Sequence, residues 1–315
     1  MPVPIIFDTD AGSDVDDLWA LALIVSHPEL NLAGVTTVSG DTQARARLVA
    51  KTLRLAGRED VPVRAGLRVP VASRDDVSAE PHGGPLTHTD LVRADDPEAG
   101  AGYGDAVDFI LETLDAAVEP VTIVGTGPWT NIAEVLSRAD DRQRSRIGCV
   151  ALMGGEVHLM MAESNVKHDP EAAAAVFKAA VPVFDATWSV SRRLTFSMDE
   201  VRELCAGSSR PLVEGLCEAT RMWWGDGMKF KPGPVCYDVI PVFWAAGERE
   251  SISCIRLDEI PVELTGAHTR GMTVSHPWRV MYAEHTEVTS SEFIAVTEEM
   301  DADALKRRYV ELVFG

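Results

Sequence analysis

Ile5-Ile6-Phe7-Asp8-Thr9-Asp10-Ala11-Gly12-Ser13-Asp14-Val15-Asp16-Asp17-Leu18-Trp19-Ala20-Leu21 joins a short apolar run to an acidic turn and then to an apolar run of helical composition. A buried strand that passes through a turn into a helix is the opening unit of a parallel α/β sheet. The turn itself carries five aspartates in ten residues, Asp8 to Asp17.

Outward from this unit the same alternation continues. Apolar, β-rich runs at 4 to 7, 32 to 38, 62 to 65, 121 to 124, 147 to 153 and 182 to 185 are separated by stretches rich in Ala, Leu, Glu and Arg at 16 to 27, 42 to 56, 104 to 118, 128 to 138 and 169 to 180. Apolar residues at helical spacing in the longer stretches predict an α/β protein with a doubly wound, mainly parallel, Rossmann-like sheet flanked by helices. Segments 66 to 103, 154 to 168 and 219 to 236 break the rhythm and read as loops at the carboxyl ends of the strands, where open parallel sheets bind ligands. A helix over 237 to 247, a β-rich C-terminal extension including Pro261–Leu264 and Gly271–Val274, and a closing helix over 301 to 312 complete a single domain spanning 1–315.

With 315 residues and 46% apolar composition, the chain can bury a large core. The 49 acidic residues against 29 basic ones give a formal charge of -20. Such a surface repels nucleic acid polymers and anionic membranes. Five scattered cysteines without CxxC spacing announce neither a disulfide framework nor a zinc site. With no basic segment and apolar core ahead of Ile5, a reducing, cytoplasmic location is expected, with no membrane span.

Five neighbouring carboxylates repel one another unless a cation or bound protons offset them. Asp14 or Asp16 could cap the following helix and Asp8 could bond turn amides, but caps account for one or two of the five. An EF-hand starting at Asp8 needs Gly at its sixth position and Glu at its twelfth, where Ser13 and Trp19 stand. Asp-x-Asp after a strand also occurs in haloacid-dehalogenase-like phosphohydrolases, but Ala11-Gly12 and the absence of a downstream lysine motif fit them poorly. What remains is an all-oxygen site for Ca²⁺ or Mg²⁺.

The segment resembles the Asp-x-Asp-x-Gly-x-Asp-Asp motif of the inosine-uridine-type nucleoside hydrolases, in a form two residues longer. Further matches follow in order: Val124-Gly125-Thr126-Gly127-Pro128-Trp129-Thr130-Asn131, Leu152-Met153-Gly154-Gly155, Ala162-Glu163-Ser164-Asn165, Asp169-Pro170-Glu171-Ala172-Ala173 and Cys236-Tyr237-Asp238. The resemblance covers nearly the whole chain. It implies Ca²⁺ held by Asp10, Asp17, the Thr126 carbonyl and Asp238, with Asp10 also acting as general base. It implies sugar contacts from Asp16 or Asp14, Glu163 and Asn165, and Asp8 as a supporting partner. His82, in Pro81-His82-Gly83-Gly84, matches a His-Gly near the sugar. A homodimer or homotetramer is expected with it.

Departures bear on substrate. Gly40-Asp41 stands where Gly-Asn is frequent, which would bring Asp41 near metal and sugar, and Tyr237 stands where histidine often protonates a purine. A phenol, with a pKa near 10, is a poorer proton source at neutral pH than imidazole. Trp223 and Trp224 are candidate contacts for the base, or else part of a buried helix. The expected reaction is calcium-dependent hydrolysis of the N-glycosidic bond of a ribonucleoside. The alternative is a protein that binds a ribosyl compound without turnover or acts on an altered substrate.

Overall fold

The computed structural model describes residues 1–73, 86–225, 232–275 and 294–315. Its strands are β1 (Val3–Thr9), β2 (Leu30–Thr37), β3 (Val63–Ala65), β4 (Val121–Gly125), β5 (Ile147–Met153), β6 (Val183–Ala186), β7 (Ile252–Leu257) and β8 (Ile294–Met300). They form one sheet in the order β3-β2-β1-β4-β5-β6-β8-β7. Neighbours are parallel throughout except β7 and β8, which pair antiparallel at the edge. The doubly wound sheet read from the alternating sequence is thus present, with β8 extending it in parallel and β7 closing it.

Helices cover both faces: α1 (Asp16–Ser26), α2 (Thr42–Leu55), α3 (Ala106–Ala116), α4 (Thr130–Arg138), α5 (Asp141–Ser145), α6 (Ser164–His168), α7 (Pro170–Phe177), α8 (Trp188–Ser191), α9 (Met198–Ala206), α10 (Pro211–Gly225), α11 (Val239–Ala245) and α12 (Ala302–Val313). Because side chains alternate along a strand, Ile5 and Phe7 enter the core beneath α1, α10, α11 and α12, while Ile6 enters the one beneath α3, α4 and α7. Each fully buried aliphatic or aromatic side chain stabilises the sheet by roughly 1.5–3 kcal/mol. The closing helix is also tied directly to α1, since the Tyr309 ring stacks 5.3 Å from Trp19 and its hydroxyl donates to the Trp19 carbonyl at 2.9 Å.

This topology fixes where a ligand can bind. The chain leaves β1 for β2 and β3 on one side, then returns to place β4 on the other. At such a reversal the connections after the two central strands diverge and open a crevice at their carboxyl ends. The acidic turn follows β1, and Thr126 follows β4.

Some expectations change. Residues 219 to 225 belong to α10 rather than to a loop, and Leu212, Leu216, Ala219 and Trp223 form its buried stripe. Ser197 and Glu200 form a capping box that starts α9, a local signal that the sequence carries. In the 261–274 region an isolated bridge joins Val262 to Thr273, while the hairpin strands are β7 and β8. Cys205 and Cys217, expected free, are disulfide-bonded with Cα atoms 6.1 Å apart. They lie on α9 and α10, and pairing of that kind is set by helix packing rather than by spacing. No helix among the described residues is long and apolar enough to cross a membrane.

Candidate active site

The crevice is built from segments distant in sequence. Asp16 and Asp17 occupy the first turn of α1, where the unsatisfied amides and helix dipole favour carboxylates. Asp17 Oδ1 accepts from the hydroxyls of Thr9, at the end of β1, and Thr126, 2.9 Å away beyond β4. Asp238 immediately precedes α11, whose Val239, Ile240, Val242 and Phe243 are completely buried. That apolar anchor brings one carboxylate oxygen each from Asp16, Asp17 and Asp238 within 4.8 Å of one another.

Asp10 stands beside this group at the start of the turn, directly after β1. Its backbone is held from behind by Arg45 of α2, a fully buried arginine that donates to the carbonyls of Asp10, Ala11 (3.0 Å) and Ser39 (2.7 Å) and to the Ser13 hydroxyl (3.0 Å). On the other side β4's turn closes on it. A Cβ at Gly127 would lie 2.9 Å from Asp10 Cβ and 2.7 Å from Val38 Cγ1, a clash that only glycine avoids.

These residues line a cavity of about 290 Å³. Asp10, Asp14, Asp16, Asp17, Thr126 and Asp238 form its acidic wall, Met153, Glu163, Ser164, Asn165 and His168 face them, and Trp188 and Tyr237 complete it with Ser13. Glu163 caps α6, its Oε2 accepting the backbone N–H groups of Gly155 (3.1 Å), Asn165 (2.9 Å) and Val166 (3.2 Å). Asn165 Nδ2 donates to the carbonyls of Thr126 (2.7 Å) and Met153 (3.1 Å). The Thr126 carbonyl keeps a second lone pair for another partner.

Burial is the main cause of the site's proton affinity. It pushes Asp17 up to about 7, assisted by the charge of Asp10, and raises Asp238 well above the carboxylate range, assisted by Asp16, Asp17, Asp10 and Asp14. Glu163 rises to about 7 by burial against the opposing pull of its backbone donors. Asp10 is also raised by burial, with Arg45 and then His168 working against it. Tyr237 is pushed up to about 12 by burial, then by Asp16 and Asp14.

A hard divalent cation fits this donor set. Three buried carboxylates whose oxygens converge, without histidine or cysteine among them, are the oxygen-only chemistry that calcium or magnesium takes. A dication between them would also reverse the mutual repulsion that favours their protonation. Asp16 joins this group, although the resemblance implied a sugar contact for it, and Asp14 lines the same cavity.

Other expected residues lie elsewhere. Asp41 is exposed and caps α2, accepting from the Ala44 amide at 3.0 Å, outside the cavity. Trp223 is completely buried in the core and Trp224 is half-buried near Arg202. Neither is among the residues lining the cavity, because the helix that carries them turns its apolar stripe to α1, α2 and α9. His82 lies outside the described residues. Asp8, expected as a supporting partner, is buried and accepts from Thr36 (2.5 Å) and Asn131 (2.8 Å).

Arg45, His168 and Trp188 were missed. His168 follows Asn165 by three residues, one helical turn on the same face. Trp188 comes just after the end of β6, where side chains reach the crevice.

The chain is similar to known nucleoside hydrolases in sequence and in fold. Residues 5–307 match the family model described as inosine-uridine preferring nucleoside hydrolase. A pyrimidine-specific ribonucleoside hydrolase RihA of Photobacterium profundum is 32% identical over 290 residues, covering 87% of this chain and 89% of that one. Among solved structures, the plant nucleoside hydrolase PpNRh1 superposes with a TM-score of 0.84 at 20% identity over 100% of both chains. A purine-preferring ribonucleoside hydrolase from Gardnerella vaginalis gives 0.79 at 22% identity, over 99% of this chain and 98% of that one. The chain belongs to the inosine-uridine preferring nucleoside hydrolase family.

Proposed function

We propose that the crevice between β1 and β4 hydrolyses the N-glycosidic bond of ribonucleosides with Ca²⁺ as its resident cation, and that pyrimidine ribonucleosides are the first substrates to test. The observation that carries this reading is the convergence of Asp16, Asp17 and Asp238 in the cavity that Asp10, Glu163 and Asn165 also line. The pyrimidine preference rests on the name of the RihA relative.

Cleavage of the bond passes through an oxocarbenium-like transition state, which requires an attacking water, negative charge near the sugar and help for the departing base. Asp17, Asp238 and Asp16 would hold the cation, with Asp10 and the Thr126 carbonyl as further oxygen donors. Bound there, Ca²⁺ would lower the pKa of a water beside Asp10. Asp10 takes the proton of the water as it attacks the anomeric carbon. Glu163, Asn165 and Asp14 hold sugar hydroxyls, so a deoxy sugar would lose one of these contacts. Trp188 offers a flat apolar face to the base, and Tyr237 a hydroxyl to its departing atom. For His82, outside the described residues, a sugar-side role rests on the sequence resemblance alone.

The test is release of reducing sugar from uridine, cytidine, inosine and adenosine, with and without a calcium chelator. Turnover of at least one ribonucleoside, lost on chelation and restored by calcium, is expected. An absence of turnover on all four would defeat the reading.

A further inference from the structure

Behind the sugar side of the cavity lies a buried carboxylate that the reaction as outlined does not use. Asp185, on β6, is completely buried. Its backbone is paired in register with Leu152 of β5 and Val296 of β8, so it cannot swing out to solvent. Neither side-chain oxygen has a hydrogen-bond partner among the described residues.

The charges acting on it are those of Glu163 and Glu156, both on the loop after β5. The same loop carries His158, whose Nε2 bonds the Thr297 carbonyl of β8 at 2.8 Å. From the C-terminal segment, Thr273 approaches the Gly155 turn and exchanges hydrogen bonds with the Glu156 backbone.

Hydrogen-bond donors are divided unequally among the three acids. Glu163 accepts three backbone N–H groups. Glu156 accepts three more, from His158 (2.6 Å), Leu159 (3.0 Å) and Ser189 (2.7 Å). Asp185 receives none from the described residues. Donated N–H groups stabilise the anion, whereas a buried carboxylate without donor or cation is far less costly in its neutral form.

Gly155 lies between Asp185 and Glu163. Its N–H donates to Glu163 Oε2 at 3.1 Å, and a Cβ built on it would sit 3.0 Å from Asp185 Oδ2. With φ at +62°, Gly155 turns one side of its backbone to each acid.

We infer that Asp185 is a positioning residue that works as an uncharged carboxylic acid: it packs beneath the Gly154-Gly155 turn and leaves the negative charge at the sugar end of the cavity on Glu163. This rests on the assignment of Glu163 to the sugar. A second negative charge beneath the turn would push against Glu163 and loosen the sugar contact, so loss of the Asp185 proton raises KM more than it lowers kcat. Burial, followed by the charges of Glu163 and Glu156, lifts the Asp185 carboxyl well above its ordinary range, in keeping with this arrangement.

The experiment pairs infrared spectroscopy with kinetics on uridine. In the calcium-loaded protein near neutral pH, the protonated-carboxyl band should lose a component in Asp185→Asn, which is isosteric with the neutral acid. Asp185→Ser supplies the same subtraction where Asn disturbs the fold. Wild-type KM should rise about fivefold or more at alkaline pH, while that of Asp185→Asn stays within about twofold. Spectra of wild type and variant that coincide, or a variant KM about tenfold higher at neutral pH with the fold intact, would overturn the inference. Glu163→Gln separates the parent reading: unchanged KM there removes the sugar assignment, while the infrared component still decides whether Asp185 carries its proton.

Discussion

The guanidinium of Arg45 donates to the backbone carbonyl of Asp10 from within the protein, placing a buried cation directly behind the acidic turn. The same group binds Ala11, Ser13 and Ser39, so it both shapes the turn and offsets part of its charge. Replacing it with methionine keeps the stem and leaves the acceptors without a donor. Arg45→Met is expected to destabilise the fold by about 3 kcal/mol, measured by denaturant unfolding. Arg45→Lys should recover little, because one ammonium cannot reach acceptors arranged around a planar fork. A methionine variant as stable and active as wild type would show that the turn holds its own shape.

Asp10→Asn tests the general base. The substitution preserves size and leaves the backbone contact with Arg45 in place, so the melting transition should stay close to that of wild type. Uridine turnover should fall by several orders of magnitude, since proton removal and positioning of the water act as one unit. Retention of most of the wild-type activity would remove Asp10 from the role assigned to it.

The legible part of this protein was the part written in short-range patterns. Ile5, Ile6 and Phe7 announce a strand, and five aspartates cannot all be caps, so the fold and the acidic wall followed from local chemistry. Arg45 was not legible, because nothing in a basic helix tells which of several arginines turns inward. Trp223 and Trp224 stood nearer in sequence to Tyr237 than Trp188 did. Helix α10 nevertheless turns Trp223 into the core, while the end of β6 delivers Trp188 to the cavity. Likewise the sequence suggests Asp41 near metal and sugar, yet the start of α2 uses it as a cap. Such choices depend on how helices pack across the sheet, which one-dimensional spacing does not record.

Protons and calcium should compete for the acidic wall. In the metal-free protein Asp17 and Asp8 are pushed up to about 7, in both cases chiefly by burial, from an ordinary value of 3.8. Between those limits the folded state holds protons that the unfolded chain has released. This contribution to stability is therefore full below about pH 4 and is lost as pH rises through about 7. The chelated protein should melt at a lower temperature at about pH 8.5 than at about pH 5.5, and calcium should raise the melting temperature more at the higher pH, where no proton need be displaced. An equal calcium shift at both would mean that the buried aspartates are not its ligands.

Tyr237 directly precedes Asp238 and lines the same cavity, and the role proposed for its hydroxyl is to assist the departing base. Burial and the charges of Asp16 and Asp14 push it up to about 12, which weakens it further as an acid at neutral pH. It can donate a hydrogen bond to the leaving atom but transfers a full proton poorly. Turnover should consequently depend on how well the base departs unaided, and a nitrophenyl riboside should be cleaved far faster than inosine or uridine. Tyr237→Phe separates acid assistance from packing, because it removes the hydroxyl and keeps the ring. If the hydroxyl assists departure, kcat/KM should fall by about tenfold or more for inosine and uridine and by less than about threefold for the activated riboside. Equal losses on all three would assign Tyr237 to positioning of the sugar or of Asp238. An unchanged profile would transfer the donor role to His168, the imidazole that shares this cavity among the described residues, and His168→Gln would then show the selective loss in its place.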